Sequence, residues 1–147
     1  MTVLYADPSA LVRAYLGDET EYAELRALLF ESEERVITSE ISRVEQASAI
    51  RAAAAAGRIV DARAYLDLFD RDSGGGGRIA LLALRPERIL QAARELVLEQ
   101  RLRTLDAIHL AVAIDHRGSA PGASDLVFVT RDADQAAAAT ACGLTVR

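Results

Sequence analysis

Short unbroken apolar runs alternate along the chain with longer stretches whose apolar residues recur every third or fourth position. The first kind suits a strand buried on both faces, the second a helix buried on one. Thr2–Ala6 is a run of the first kind. The pair Asp7-Pro8 ends it and predicts a helix over Pro8–Leu16, with Asp7 as N-cap and Pro8 at the first helical position, where its missing N–H is harmless. Glu19–Glu31 carries Tyr22, Leu25, Leu28 and Leu29 at helical spacing. Arg35–Thr38 reads as a second strand, and Ser39–Ala56 as a helix closed by Gly57. Arg58–Asp70 is another helix, with Ile59, Ala62, Leu66 and Phe69 on one side.

Ser73–Gly77 breaks the pattern. Four consecutive glycines hold neither helix nor strand, so the segment is expected to be a flexible linker. No Gly-Lys-Ser/Thr follows, which excludes a phosphate loop. Ile79–Leu84 is a third strand, and Pro86–Gln100 a helix opened by Pro86 and Glu87. Thr104–His116 is a strongly apolar helix expected to end at Gly118, Leu126–Thr130 a fourth strand, Ala133–Cys142 a short helix and Leu144–Val146 a last strand. No internal repeat is visible. Strands alternating with helices imply an α/β fold, a three-layer sandwich with a parallel central sheet of about five strands, in a single domain over residues 1–147.

Composition narrows the setting. Hydrophobic residues make up 51% of the 147 and charged ones 27%, a balance that needs no disulfide for stability. The lone Cys142 has no internal partner and fits a reducing compartment. The apolar start at Val3–Ala6 is too short for a signal peptide, and no run reaches the ~20 residues of a membrane helix, so a soluble, cytoplasmic protein without membrane contact is expected. A net charge of −5 excludes a generally basic nucleic-acid binder; any such contact must be local. All 17 basic residues are arginine, suited to bidentate phosphate contacts but also the bias of a GC-rich source.

In a parallel sheet the functional crevice lies beyond the carboxyl ends of the strands. Asp7 directly follows the first strand, Asp132 follows the fourth, Glu45 lies in the helix after the second, and Asp106 opens a helix further on from the third. These four acids from distant stretches are predicted to converge. Asp7, Asp106 and Asp132 are equally placed to cap helices. Glu45 shares its expected face with Ile41, Val44, Ser48 and Ala52, and Asp106 shares one with Leu102, Leu105, His109, Leu110 and Ala113, so each interrupts an apolar stripe. Grouped carboxylates repel, and a hard divalent cation relieves them. Mg²⁺ keeps several waters and needs few carboxylates, and Mn²⁺ fits the same oxygens. One cysteine with His109 and His116 does not make a zinc site.

The segments YADPSALVRAYL, SEISRVEQASAI, RLRTLDAIHLAVA and VFVTRDADQAAAATACGLTV resemble, in order, the motifs of PIN domains. The third closely resembles that of VapC-type toxins, and together the four cover nearly the whole chain. The resemblance implies a PIN-like fold and a Mg²⁺-dependent endoribonuclease that leaves a 5′-phosphate and a 3′-hydroxyl. By resemblance, Asp7, Glu45, Asp106 and Asp132 are the catalytic, metal-binding acids, with Asp134 a neighbouring alternative to Asp132. Ser9 and Thr130 match small polar supports, and Thr104 a helix cap. The implied partners are RNA, a VapB-like antitoxin of a type II toxin–antitoxin pair, and a second copy of the chain.

Other readings of the residues remain. His109 is placed to contact RNA, to orient Asp106, or simply to pack. Arg13, Arg43, Arg101, Arg103 and Arg131 lie near the motifs as phosphate contacts or as solvated helix-face residues. A haloacid dehalogenase-like phosphatase needs an aspartate where Ser9 stands, and a receiver domain needs a lysine that this chain lacks. A different metal-dependent phosphohydrolase and a non-catalytic PIN-like domain that binds RNA or protein are the alternatives.

Overall fold

The computed structural model describes residues 2–120 and 125–147. The apolar runs become β1 (Val3–Ala6), β2 (Arg35–Ser39), β3 (Ile79–Leu82), β4 (Leu126–Val129) and β5 (Thr145–Val146). They form one sheet in the order β3-β2-β1-β4-β5, with every pairing parallel. This is the expected α/β architecture. β1 is central and fully covered, as its unbroken Val-Leu-Tyr-Ala sequence requires.

Alternate side chains of the central strands feed two cores. Val3, Tyr5, Ile37 and Phe128 pack with Ile89, Ala93 and Leu96 of α5 (Pro86–Gln100), Leu110 of α6 (Thr104–Ser119) and Ala138 of α7 (Ala133–Ala141). Leu4, Ala6, Val36 and Val129 pack on the opposite face with Leu11 of α1 (Pro8–Arg13), Leu25 of α2 (Tyr22–Arg26) and Phe69 of α4 (Ala62–Asp72). A smaller cluster of Leu16, Ile50, Ala53 and Ile59 joins α3 (Ser42–Ala55) to its neighbours. These are the three layers.

Several boundaries differ from the sequence reading for local reasons. The predicted Glu19–Glu31 helix starts at Tyr22 and finishes as a π-helical turn over Ala27–Glu31. Ser39 belongs to β2, paired with Leu82, so α3 starts later than expected. Arg58 does not open α4, because its guanidinium is held by Asp18 and Glu19; Asp61 caps that helix instead. α6 runs through Gly118 to Ser119 rather than ending there. Gly57 does close α3, with φ +73°.

Two corrections concern faces. The buried face of α3 is Ser42, Gln46, Ile50 and Ala53, while Val44, Ser48 and Ala52 point to solvent, Val44 with 73% of its surface exposed. In an alanine-rich helix apolarity does not mark the inner face. Leu105, also assigned to a buried stripe, is 48% exposed.

The Gly74–Gly77 run is a defined turn rather than a linker. The Gly77 amide donates to the Gly74 carbonyl at 2.9 Å, and Gly76 has φ +79°. A Cβ on Gly77 would lie 2.2 Å from the Asp72 carbonyl oxygen. Among the described residues no helix is long and apolar enough to cross a membrane.

Candidate active site

The chain winds outward from β1 through β2 to β3, then returns to place β4 on the other side of β1. The crevice therefore opens beyond the carboxyl ends of β1 and β4, where the winding reverses. Asp7 and Asp132 stand there. The Asp7 amide donates to the Val129 carbonyl at 2.9 Å, carrying the β1–β4 ladder one rung into the site.

Asp7 is 3% exposed and caps α1. Its Oδ2 accepts from the Ser9 amide at 3.0 Å and the Ser9 hydroxyl at 2.7 Å. Its Oδ1 accepts from the Gln135 side-chain amide at 2.8 Å. Asp132 caps α7 through Oδ1, which accepts from the Gln135 backbone amide at 2.9 Å. The Gln135 side chain also donates to the Asp106 carbonyl at 3.3 Å and accepts from the Thr130 hydroxyl at 2.7 Å. One fully buried glutamine thus ties together the segments that bear Asp7, Asp106 and Asp132.

Gln135 was missed in the sequence. Its signal was its place three residues after the capping Asp132, the spacing of a capping box. Here the glutamine side chain reaches across to Asp7 instead of back to its own helix start.

Asp106 lies in the first turn of α6. Burial pushes its carboxyl above the ordinary carboxylate range; the Arg103 guanidinium pulls it back, and the charges of Asp7 and Asp132 add to the rise. Arg103 bridges two of these acids, Nε to Asp106 at 3.1 Å and Nη2 to Asp132 at 3.1 Å, with its own side chain 80% exposed. Thr104 does not cap α6: Arg103 occupies the cap position and makes no side-chain capping bond.

Ser9 and Thr130 bond into this network as well. The Ser9 hydroxyl also accepts from the Arg131 amide, and Thr130 Oγ1 accepts from the Asp132 amide. Asp134 is exposed beside this network. Arg131 and Arg13 both bond to Glu21, which commits them to holding α2.

Among the described residues, Glu45 is not joined to that network. Its Oε2 meets His109 Nε2 at 2.5 Å, and His109 lies one turn beyond Asp106 on α6. His109 is 1% exposed and turns toward Glu45 rather than toward Asp106. Among the described residues, no three His, Cys, Asp or Glu side chains are close enough together to hold one metal ion.

The donors suit a hard cation all the same. They are all carboxylate oxygens, a positive guanidinium already spans Asp106 and Asp132, and Asp106 is held against its own ionisation by its surroundings. A small ion that keeps most of its water shell needs only one or two such carboxylates.

A parallel sheet whose reversal point gathers acids from separate segments defines a class of α/β proteins that work on ligands at strand ends. The model of the PIN domain matches residues 4–141, and the chain belongs to the PIN-domain family. PIN domains are generally nucleases, and they typically use divalent metal ions. No match was found among curated proteins.

Proposed function

We propose that the protein is a Mg²⁺-dependent endoribonuclease acting as the toxin of a VapBC-type toxin–antitoxin pair. The observation that carries the nuclease reading is the gathering of Asp7, Asp106 and Asp132 around Gln135 at the sheet's reversal point, with a cation already drawn between two of them. The toxin reading rests on the likeness of RLRTLDAIHLAVA, residues 101–113, to the VapC motif.

Asp7, Glu45, Asp106 and Asp132 would hold the ion, one or two of them directly and the others through its water shell. A bound Mg²⁺ supplies a Lewis acid for the phosphate and lowers the pKa of water. Ser9 and Gln135 fix both Asp7 oxygens, so that carboxylate meets a cation without reorganising. Arg103 is the exposed charge at the rim. Its guanidinium, a planar fork matched to phosphate oxygens, would be available to the phosphodiester backbone if the Asp106 and Asp132 carboxylates were neutralised by a metal ion. Water adds to phosphorus and the P–O3′ bond breaks, leaving a 5′-phosphate and a 3′-hydroxyl.

The partners proposed are RNA, a VapB-like antitoxin and a second copy of the chain. An acidic crevice favours an inhibitor segment that carries arginine or lysine.

End-labelled RNA incubated with Mg²⁺ or Mn²⁺ tests the nuclease. Cleavage is expected to stop with EDTA and to fall at least about 100-fold, or ~2.7 kcal/mol of barrier, in Asp7→Asn. Equal residual cleavage by wild type and Asp7→Asn overturns the enzyme. For the toxin, induced expression should arrest growth, and co-expression of a small protein encoded beside it should restore growth.

A further inference from the structure

Glu45 differs from the three aspartates in how it is held. Asp7 and Asp132 are fixed by caps and Asp106 by Arg103, whereas Glu45 lies in the first turn of α3, next to Gln46, whose buried side-chain amide finds no hydrogen-bond partner among the described residues. Among the described residues, the Glu45 side chain bonds only to His109. Behind His109 stands Tyr5, whose hydroxyl lies 2.8 Å from Nδ1. Tyr5 is fully buried in β1 and stacks on Phe128 of β4, with ring centroids 5.3 Å apart and planes 7° apart. Tyr5 and His109 meet edge to face, at 6.0 Å and 68°.

We infer that Tyr5 and His109 are positioning residues that fix the direction of the Glu45 carboxylate, through a set imidazole tautomer, and ready it as a ligand for the cation of the proposed nuclease. The inference rests on the nuclease reading above. The hydrogen positions follow from what each atom is able to do. An ionised carboxylate only accepts, so His109 Nε2 carries the proton. Nδ1 is then bare and accepts from the Tyr5 hydroxyl. A tyrosine hydroxyl carries its proton at neutral pH, as this donation requires. The relay runs from the centre of the sheet, through α6, to α3. It commits Oε2 of Glu45 and leaves Oε1 for a cation. A carboxylate on an otherwise unbraced helix face thereby gains a fixed direction, as outer partners give to metal ligands elsewhere.

The test combines Mn²⁺ binding, followed by paramagnetic resonance without RNA, with the nitrogen spectrum of the two histidines. Wild-type His109 is expected to show the Nε2–H tautomer, with His116 as internal reference. His109→Leu should weaken Mn²⁺ binding roughly 10- to 100-fold. His109→Gln, which restores an N–H toward Glu45, should recover most of it. Tyr5→Phe keeps the ring stack and should weaken binding less than His109→Leu does.

An Nδ1–H tautomer in the wild type overturns the relay, and so does equal Mn²⁺ affinity in wild type and His109→Leu. A Gln variant as weak as the Leu variant overturns the positioning role in favour of plain packing. If Mn²⁺ binds the wild type no better than it binds Asp7→Asn, the nuclease reading itself falls, and the tautomer still decides the relay.

Discussion

Replacing Gln135 with leucine tests the site's construction most directly. Leucine fills nearly the same volume but removes every polar contact of the side chain. Asp7 Oδ1 loses its donor at 2.8 Å and the Thr130 hydroxyl its acceptor at 2.7 Å, both in buried surroundings. A hydrogen bond to a charged group is worth ~1.5–3 kcal/mol and a neutral one ~1 kcal/mol, so a loss of about 2.5–4 kcal/mol is expected. In a protein of this size that lowers Tm by roughly 5–15 °C. Urea unfolding followed by circular dichroism measures it, with an unchanged m value showing that the native state stays compact. Gln135→Glu sets a second carboxylate against Asp7, so its loss should be larger at pH 8 than at pH 5. A Gln135→Leu loss below about 0.5 kcal/mol would refute the view that this glutamine holds the site together, because such a value is typical of an unengaged surface position.

Three further outcomes follow from single observations. The Asp106 carboxyl is raised above its ordinary 3.8 by burial, with Asp7 and Asp132 adding to the rise, so its contribution to stability is present at low pH and lost as pH climbs through the raised value. Asp106→Asn should therefore melt higher than wild type near neutral pH without metal, with the gap closing on acidification; a pH series of melts checks this. Gln46 is buried with neither side-chain amide atom hydrogen-bonded among the described residues, so Gln46→Met should be neutral or stabilise by ~1–2 kcal/mol in urea unfolding. Gly77→Ala forces a Cβ against the Asp72 carbonyl and should cost more than ~2 kcal/mol, whereas Gly75→Ala, with open space around it, should cost under ~0.5 kcal/mol.

What could be read from the sequence depended on how local the governing physics was. Strands buried on both faces leave unbroken apolar runs, so β1, β2 and β4 were plain. Aspartates directly after strands follow from chain order once the sheet is parallel, and Asp7 and Asp132 stand where that logic put them. The order β3-β2-β1-β4-β5 is set by packing between distant segments and had no local signal. Glu45 was singled out for a face that proved to be the solvent side: α3 is mostly alanine, and its inner face carries Ser42 and Gln46. The glycine run looked like slack because its constraint is a carbonyl of Asp72, which no pattern of glycines reveals. Gln135 was not singled out, since its partners come from segments far away in sequence.

The rung that Asp7 adds to the β1–β4 ladder ties one catalytic candidate to the most protected part of the molecule. Its amide proton should exchange with deuterated solvent only when the central sheet opens as a whole, while amides near Glu45 and Arg103 exchange through smaller openings of their helices. A single exchange experiment on the backbone would therefore separate the site into a half that survives until global unfolding and a half that breathes.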